Sequence, residues 1–345
     1  MIRTPSPAPR RLIAAAIVVA GAAALYTAYW YAAAYQLRTG LEAWTAEQLR
    51  GGLRIDLGQP KIEGFPGWLR VRVGRPEAAT VAASNAWRWQ GAAIEARSRP
   101  WRPWSIAFDG KGHHRITLGE AETARTVNVD ASGLSGRVVV VGGGEVRSLG
   151  LDLKAMTVTT EHPAESLTLA VAALKFDFPS PPDLGFDLDL RGLKLPKSAA
   201  TPLGDEFAAV MLRGGVSGPV VDQDWPDVLV SWRDGGGVIE VAEVTVRHGP
   251  LNLSGNGTIA LDAAMQPVAA FTVRAEGYSE TVDALQRAGL IKTGNVTGTK
   301  LVLAVLAKRP SGGAPYIEAP LTFQDRKLRV GPLDLLKFPV VSWGR

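Results

Sequence analysis

The chain has 345 residues, 46% of them hydrophobic and 21% charged, a net charge of +5 and no cysteine. This is the composition of a globular chain long enough for one large β domain or two ordinary ones. Without cysteine no disulfide can staple it, so an exported domain must be held by its own core.

The first element is an uncharged apolar run from Leu12 to Tyr35, preceded by Arg3, Arg10 and Arg11. It exceeds the roughly 20 residues a helix needs to cross a bilayer core, and arginines on one flank orient that flank toward the cytoplasm. Tyr26, Tyr29, Trp30, Tyr31 and Tyr35 read as the aromatic belt of an interface. The alternative is a secretory signal cleaved after Ala32–Ala34, although a signal core normally runs only about 7 to 15 residues. An uncleaved single-pass anchor is the preferred reading. It makes residues 1–11 a cytoplasmic tail, 12–35 a transmembrane anchor and 36–52 a juxtamembrane helix in an inner membrane. Residues 53–345 then form a periplasmic β-rich domain, with a loop at 195–204 where two sub-domains would divide.

Gln36 to Arg50 is predicted as an amphipathic helix on the spacing of Leu37, Leu41, Trp44 and Leu49, ended by Gly51 and Gly52. Charge is uneven from here on. Residues 38–102 hold 11 Lys/Arg against 6 Asp/Glu, whereas 103–345 are net −3. The basic part adjoins the membrane, where anionic headgroups attract Lys and Arg; a solvated face with no partner is the alternative. Nucleic acid is not implied.

Beyond Gly52 the period changes to two. Strands are predicted at Trp68–Val73, Val138–Val141, Leu149–Thr160, Leu167–Phe178, Leu184–Leu190, Val228–Trp232, Val238–Arg247, Leu251–Leu261, Phe271–Ala275, Lys300–Leu306 and Pro315–Phe323, with a hairpin turn at Asp325–Lys327. In Leu251–Leu261 one parity is Leu, Leu, Gly, Gly, Ile, Leu and the other Asn, Ser, Asn, Thr, Ala, giving one dry and one wet face. Helices are predicted at Asp205–Arg213 and Glu280–Leu290, and loops at Pro179–Pro182, Leu195–Gly204 and Arg309–Pro315. So many half-polar strands with so few helices imply a mainly β fold: elongated antiparallel sheets forming a curled groove or a sandwich.

Chemical motifs are sparse. His113, His114, His162 and His248 show no metal spacing, and adjacent His113 and His114 would point to opposite faces of a strand; a polar turn is expected there. Gly133–Gly136 and Leu253–Gly257 only imitate a nucleophile elbow and read as turns. Gly142–Gly144 and Gly235–Gly237 lack the lysine or helix of a phosphate loop and read as hairpin turns. Asp187/Asp189 and Asp222/Asp224 are read as solvated pairs. No catalytic, cofactor or metal residue is therefore assigned. The suggestive group is Trp87, Trp89, Trp101 and Trp104, interleaved with Arg88 and Arg102 among other arginines; with Trp44 these are the candidate membrane or lipid contacts. Core and edge packing is the competing role.

The anchor, the helix, Ile62-Glu63-Gly64-Phe65-Pro66, Trp87/Trp89, Pro100-Trp101-Arg102-Pro103-Trp104 and Leu328-Arg329-Val330-Gly331-Pro332 together resemble the bacterial family of domain of unknown function 2125 over almost the whole chain. That resemblance implies a single-anchor envelope protein and no activity. Val244–Gly277, with Gly257-Thr258-Ile259-Ala260-Leu261-Asp262 and Pro267, is similar to repeats of AsmA-like envelope proteins, which implies a lipid-carrying β groove. The expected function is non-enzymatic lipid handling at the envelope, with a bilayer, a phospholipid or another envelope lipid, and other envelope proteins as partners. A protein scaffold and an envelope hydrolase are the alternatives.

Overall fold

The computed structural model describes residues 8–81, 86–119, 124–142, 145–161, 164–179, 183–219, 227–290, 293–310, 313–331 and 333–343. His162 and the Asp222/Asp224 pair lie outside them, as does part of Pro179–Pro182 and of Gly142–Gly144. The fold is mostly β; the strands pair antiparallel and do not close into a barrel. Two compact units separate, one comprising Met1–Gly110 with Ile116–Ala124 and the other Lys111–Arg115 with Arg125–Arg345.

The first unit begins with helix α1 (Ala8–Arg50), 43 residues long without a break. The predicted anchor and juxtamembrane helix are thus one element, ended where Gly52 takes a left-handed φ of 84°. Strands β1 (Leu53–Asp56), β2 (Lys61–Glu63), β3 (Leu69–Val73), β4 (Glu77–Thr80), β5 (Trp87–Gln90), β6 (Ile94–Arg99) and β7 (Arg102–Asp109) follow, and then β8 (Gly112–Leu118), which is shared: its residues 112–115 belong to the second unit. β4 pairs with β1 and β5, while β2, β3, β6 and β7 form a small meander. Because Leu69 pairs with Ser98, the β2–β3 turn and the β6–β7 turn emerge at the same end of that meander.

The second unit contains β9 (Arg125–Val140), β10 (Val146–Glu161), β11 (Ala164–Asp177), β12 (Leu184–Lys194), β13 (Glu206–Ser217), helix α2 (Asp227–Asp234), β14 (Val238–His248), β15 (Leu251–Leu261), β16 (Pro267–Glu276), helices α3 (Tyr278–Arg287) and α4 (Thr293–Leu306), β17 (Ala307–Lys308), β18 (Tyr316–Gln324), β19 (Lys327–Val330) and β20 (Leu333–Lys337). From β9 to β16 each strand pairs with the next, and β18 to β20 continue the meander from β16. The β18–β19 turn is the predicted hairpin: Asp325 and Arg326 have φ of 52° and 63°, as a two-residue turn with both central residues left-handed requires.

Three predicted elements are different. Asp205–Arg213 is not a helix but lies in β13, because β12 and β14 offer it a ladder on both sides. Val228–Trp232 and Lys300–Leu306 are not strands but lie in α2 and α4. α4 buries Leu303 but leaves Leu301 and Val305 exposed, and the strand after it, β17, pairs with β18. Around α2 the flanking strands, β13 and β14, pair directly with each other, so the segment between them has no free ladder and must bury apolar side chains on a face. Trp232 does so from α2, donating its indole N–H to Ser217 O at 2.9 Å. Gly237 makes room for it, since a Cβ there would stand 2.2 Å from the indole. Gly235–Gly237 is accordingly the exit of α2, not a hairpin turn. Gly133–Gly136 and Leu253–Gly257 lie within β9 and β15, not in turns, and His113 and His114 lie in β8.

The tightest core joins α3 and α4 to β16, β18 and β19 through Ala275, Val282, Leu303, Ile317, Ala319 and Val330.

Candidate membrane and lipid-contact surfaces

In the first unit, α1 is bare from Leu12 to Leu25 and then meets the β strands. Tyr26, Tyr29 and Trp30 share one helix face by their i, i+3, i+4 spacing. All three donate hydrogen bonds to turn carbonyls: Tyr26 to Pro66 O, Tyr29 to Pro100 O at 2.8 Å and Trp30 to Trp68 O at 3.0 Å. Phe65 closes the contact, edge-on to Trp30 at 5.6 Å and stacked on Tyr31 at 6.1 Å. Trp30 is only 4% exposed, so this part of the aromatic belt is a protein joint. Gly64 permits the joint: its φ is 110°, and a Cβ there would stand 2.8 Å from Trp68 O.

On the outer side of the joint, the Arg99 guanidinium stacks on Trp68 at 4.7 Å and on Trp101 at 5.4 Å. Arg99 has no carboxylate partner among the described residues. Several neighbouring basic residues do: Arg70 and Arg72 pair with Glu95, and Arg97 with Asp109.

The seven sequence candidates do not converge. Trp101 lies in the β6–β7 turn beside the joint, under the Arg99 guanidinium, and Arg102 stands opposite Arg99 in the β6–β7 register. Trp87, Arg88 and Trp89 lie on β5, which pairs with β4 away from the two turns. Trp87 and Trp89 are half-buried, and Trp89 packs across Gly91 beside Pro76. Trp104 is exposed on β7. Trp44 lies 14 residues beyond Trp30 on α1, about 21 Å along the helix axis. Phe65, Trp68 and Arg99 were not among the seven contact candidates, although Phe65 stands in the motif that carries the family resemblance and Arg99 among the arginines interleaved with the tryptophans; the i, i+3, i+4 spacing of Tyr26, Tyr29 and Trp30 was the available signal that the helix docks on something.

In the second unit, strand alternation and register together build two continuous faces. On one, Leu153, Ala172, Leu190, Val210, Val246, Leu253 and Ala275 stand in one cross-strand row, and Leu151, Leu174, Leu188, Leu212, Val244 and Val273 in the next. Phe176 and Phe186 pair in a third. Over β15 to β19 this face is covered by α3 and α4. Over β10 to β13 the Leu, Val and Phe side chains of these rows stay half-buried; only Ala172 among them is buried.

The opposite face is charged. Arg213 bridges Asp187 at 3.0 Å and Glu243 at 3.4 Å across three strands, and Arg191 grips Asp189 at 2.8 Å. A depression of about 510 Å³ lined by Arg137, Asp152, Lys175, Asp187, Asp189 and Arg213 lies there. Asp187 and Asp189 are therefore ion-pair partners in a surface ladder. Hydrogen bonds hold several carboxyls of this unit below the usual carboxylate range: Asp189 by Arg191, Glu276 by Arg274 and then Asn252, Glu318 by Lys308, Asp334 by Arg329 and then Lys327. A carboxyl with a lowered folded-state value contributes its full stabilisation above the ordinary value and loses it as pH falls through the lowered one. Thermal unfolding of the purified chain is thus expected at a constant temperature from neutral pH to about pH 5, and at progressively lower temperature below about pH 4. Each exposed pair contributes little, so the decline is gradual.

Histidine offers no catalytic geometry among the described residues. His248 is buried, bonded to Thr201 Oγ1 and Glu206 O and stacked flat on Phe207, with centroids 3.8 Å apart; it locks the loop at 195–204 to β14. His113 meets Asp130 at 2.9 Å in the open. No group of three or more metal-ligating side chains occurs among the described residues.

A family model described as an uncharacterized protein conserved in bacteria (DUF2125) matches residues 30–339. No curated protein and no solved structure matches the chain.

Proposed function

We propose, for a chain that belongs to this bacterial DUF2125 family, that it is a membrane-anchored envelope protein that holds lipid acyl chains against the apolar face of its second unit and performs no catalysis. One α1 segment is long and apolar enough to span a membrane. The basic flank at Arg10 and Arg11 supports a cytoplasmic N-terminus, with the β units on the periplasmic side of the inner membrane. The observation that carries the lipid reading is the continuous Leu, Val and Phe surface of β10–β13, half-exposed where a sandwich would bury it. An acyl chain laid along these rows removes apolar area from water at about 25 cal/mol per Å².

Adjacent residues of β12 test this, because Leu188 and Asp189 point to opposite faces. A photoreactive phenylalanine at position 188 of the full chain in cells is expected to capture lipid, and one at 189 is not. Equal capture at both positions, or none at 188, removes the reading.

A further inference from the structure

We infer that the β2–β3 and β6–β7 turns are seated in the bilayer interface beside α1, with Phe65 and Trp101 embedded among lipids. This rests on the bilayer-spanning anchor of the proposed function and is independent of its lipid-carrying face.

The first argument is length. The bare part of α1, Leu12–Leu25, has 14 residues and spans about 21 Å, against about 30 Å for a hydrocarbon core. Arg10 and Arg11 oppose sliding the helix further through the membrane. The missing length, about 9 Å, must come from the turn of helix at Tyr26–Tyr31, which already carries the two β turns on one side. The turns therefore reach the depth at which interfacial segments sit, about 5–10 Å into the headgroup and acyl boundary.

The second argument is chemistry. At the tips, Phe65 is 46% exposed and Trp101 50%. Neither Gly64–Trp68 nor Pro100–Trp104 contains an acidic residue, and Pro66, Pro100 and Pro103 have no N–H to leave unsatisfied. The carbonyls of Pro66, Trp68 and Pro100 are already bonded to α1 side chains, which removes the main cost of taking turn backbone out of water. Arg99, clamped between two indoles and without a carboxylate partner among the described residues, supplies a cation where lipid phosphates lie.

Hydroxyl-radical footprinting of the unmodified full-length chain in nanodiscs of phosphatidylethanolamine and phosphatidylglycerol tests this. Trp101 and Trp44 are the same residue with similar exposure, 50% and 45%, so in water they oxidise at similar rates. In nanodiscs Trp101 is expected to oxidise at least about threefold more slowly than Trp44. Equal rates, with Leu12 and Leu25 protected, overturn the seating of the turns and leave the anchor standing, the bilayer then thinning around a short span. Oxidation of Leu12 and Leu25 at water-like rates overturns the anchor and this inference with it.

Discussion

Replacing Trp30 by alanine is expected to detach the first β unit's turns from α1. Trp30 is nearly fully buried, donates to Trp68 O at 3.0 Å, and its ring stands edge-on to Phe65 at 5.6 Å. Truncating a buried Trp to Ala costs about 3–5 kcal/mol, which is comparable to the whole stability of a small unit. Hydrogen exchange of the full chain in nanodiscs should show the amides of 64–71 and 96–103 opening by a hundredfold or more. Trp30→Phe keeps a six-membered ring but loses the N–H donor and part of the indole, leaving Trp68 O without its partner, so its effect should be smaller, about 1–3 kcal/mol. Similar losses for the two variants would mean that the hydrogen bond, rather than ring burial, holds the joint.

Leu174→Asp combined with Leu188→Asp is expected to abolish lipid capture while leaving the fold intact. The two leucines stand opposite each other on β11 and β12, both half-buried. Carboxylates there stay hydrated in the empty protein, but an acyl chain laid over them would strip that water at a cost of several kcal/mol. Co-purifying lipid, measured by mass spectrometry, should fall at least about tenfold with an unchanged circular dichroism spectrum. Ala209→Asp is the matched control: it lies on the charged face between Arg191 and Arg247 and should retain the lipid. A loss of lipid in this control as well would show that added charge anywhere on the unit disturbs binding.

Much of the architecture was legible in the residues. Alternation marked β12, β14, β15 and β16, and the dry parity expected for Leu251–Leu261 is the one that meets the apolar rows. The errors have one cause. Phe207–Leu212 has apolar residues at spacings a helix could use, and Val228–Trp232 and Lys300–Leu306 have the composition of strands, but short apolar runs carry no information on which neighbours are free. Segment 205–213 found ladders on both sides, whereas 228–232 fell between β13 and β14, which are already paired with each other. The candidate tryptophans lie apart in the fold for a related reason. Trp87 and Trp89 are close to Trp101 in sequence, but β5 pairs with β4 while Trp101 sits in the β6–β7 turn.

By itself, the sequence determined the apolar helix at the N-terminus, the basic segment next to it, and the β-rich, half-polar character of all that follows, because these are properties of composition and local period. Only tertiary structure decided that Tyr26, Tyr29 and Trp30 form a joint rather than a free belt, that Phe65 belongs to it and Arg99 stacks beside it on Trp68, and that the leucines of β10–β13 share one half-buried face. Each of those depends on which strands pair and in what register, a long-range choice made by the competition of all segments for the same ladder edges.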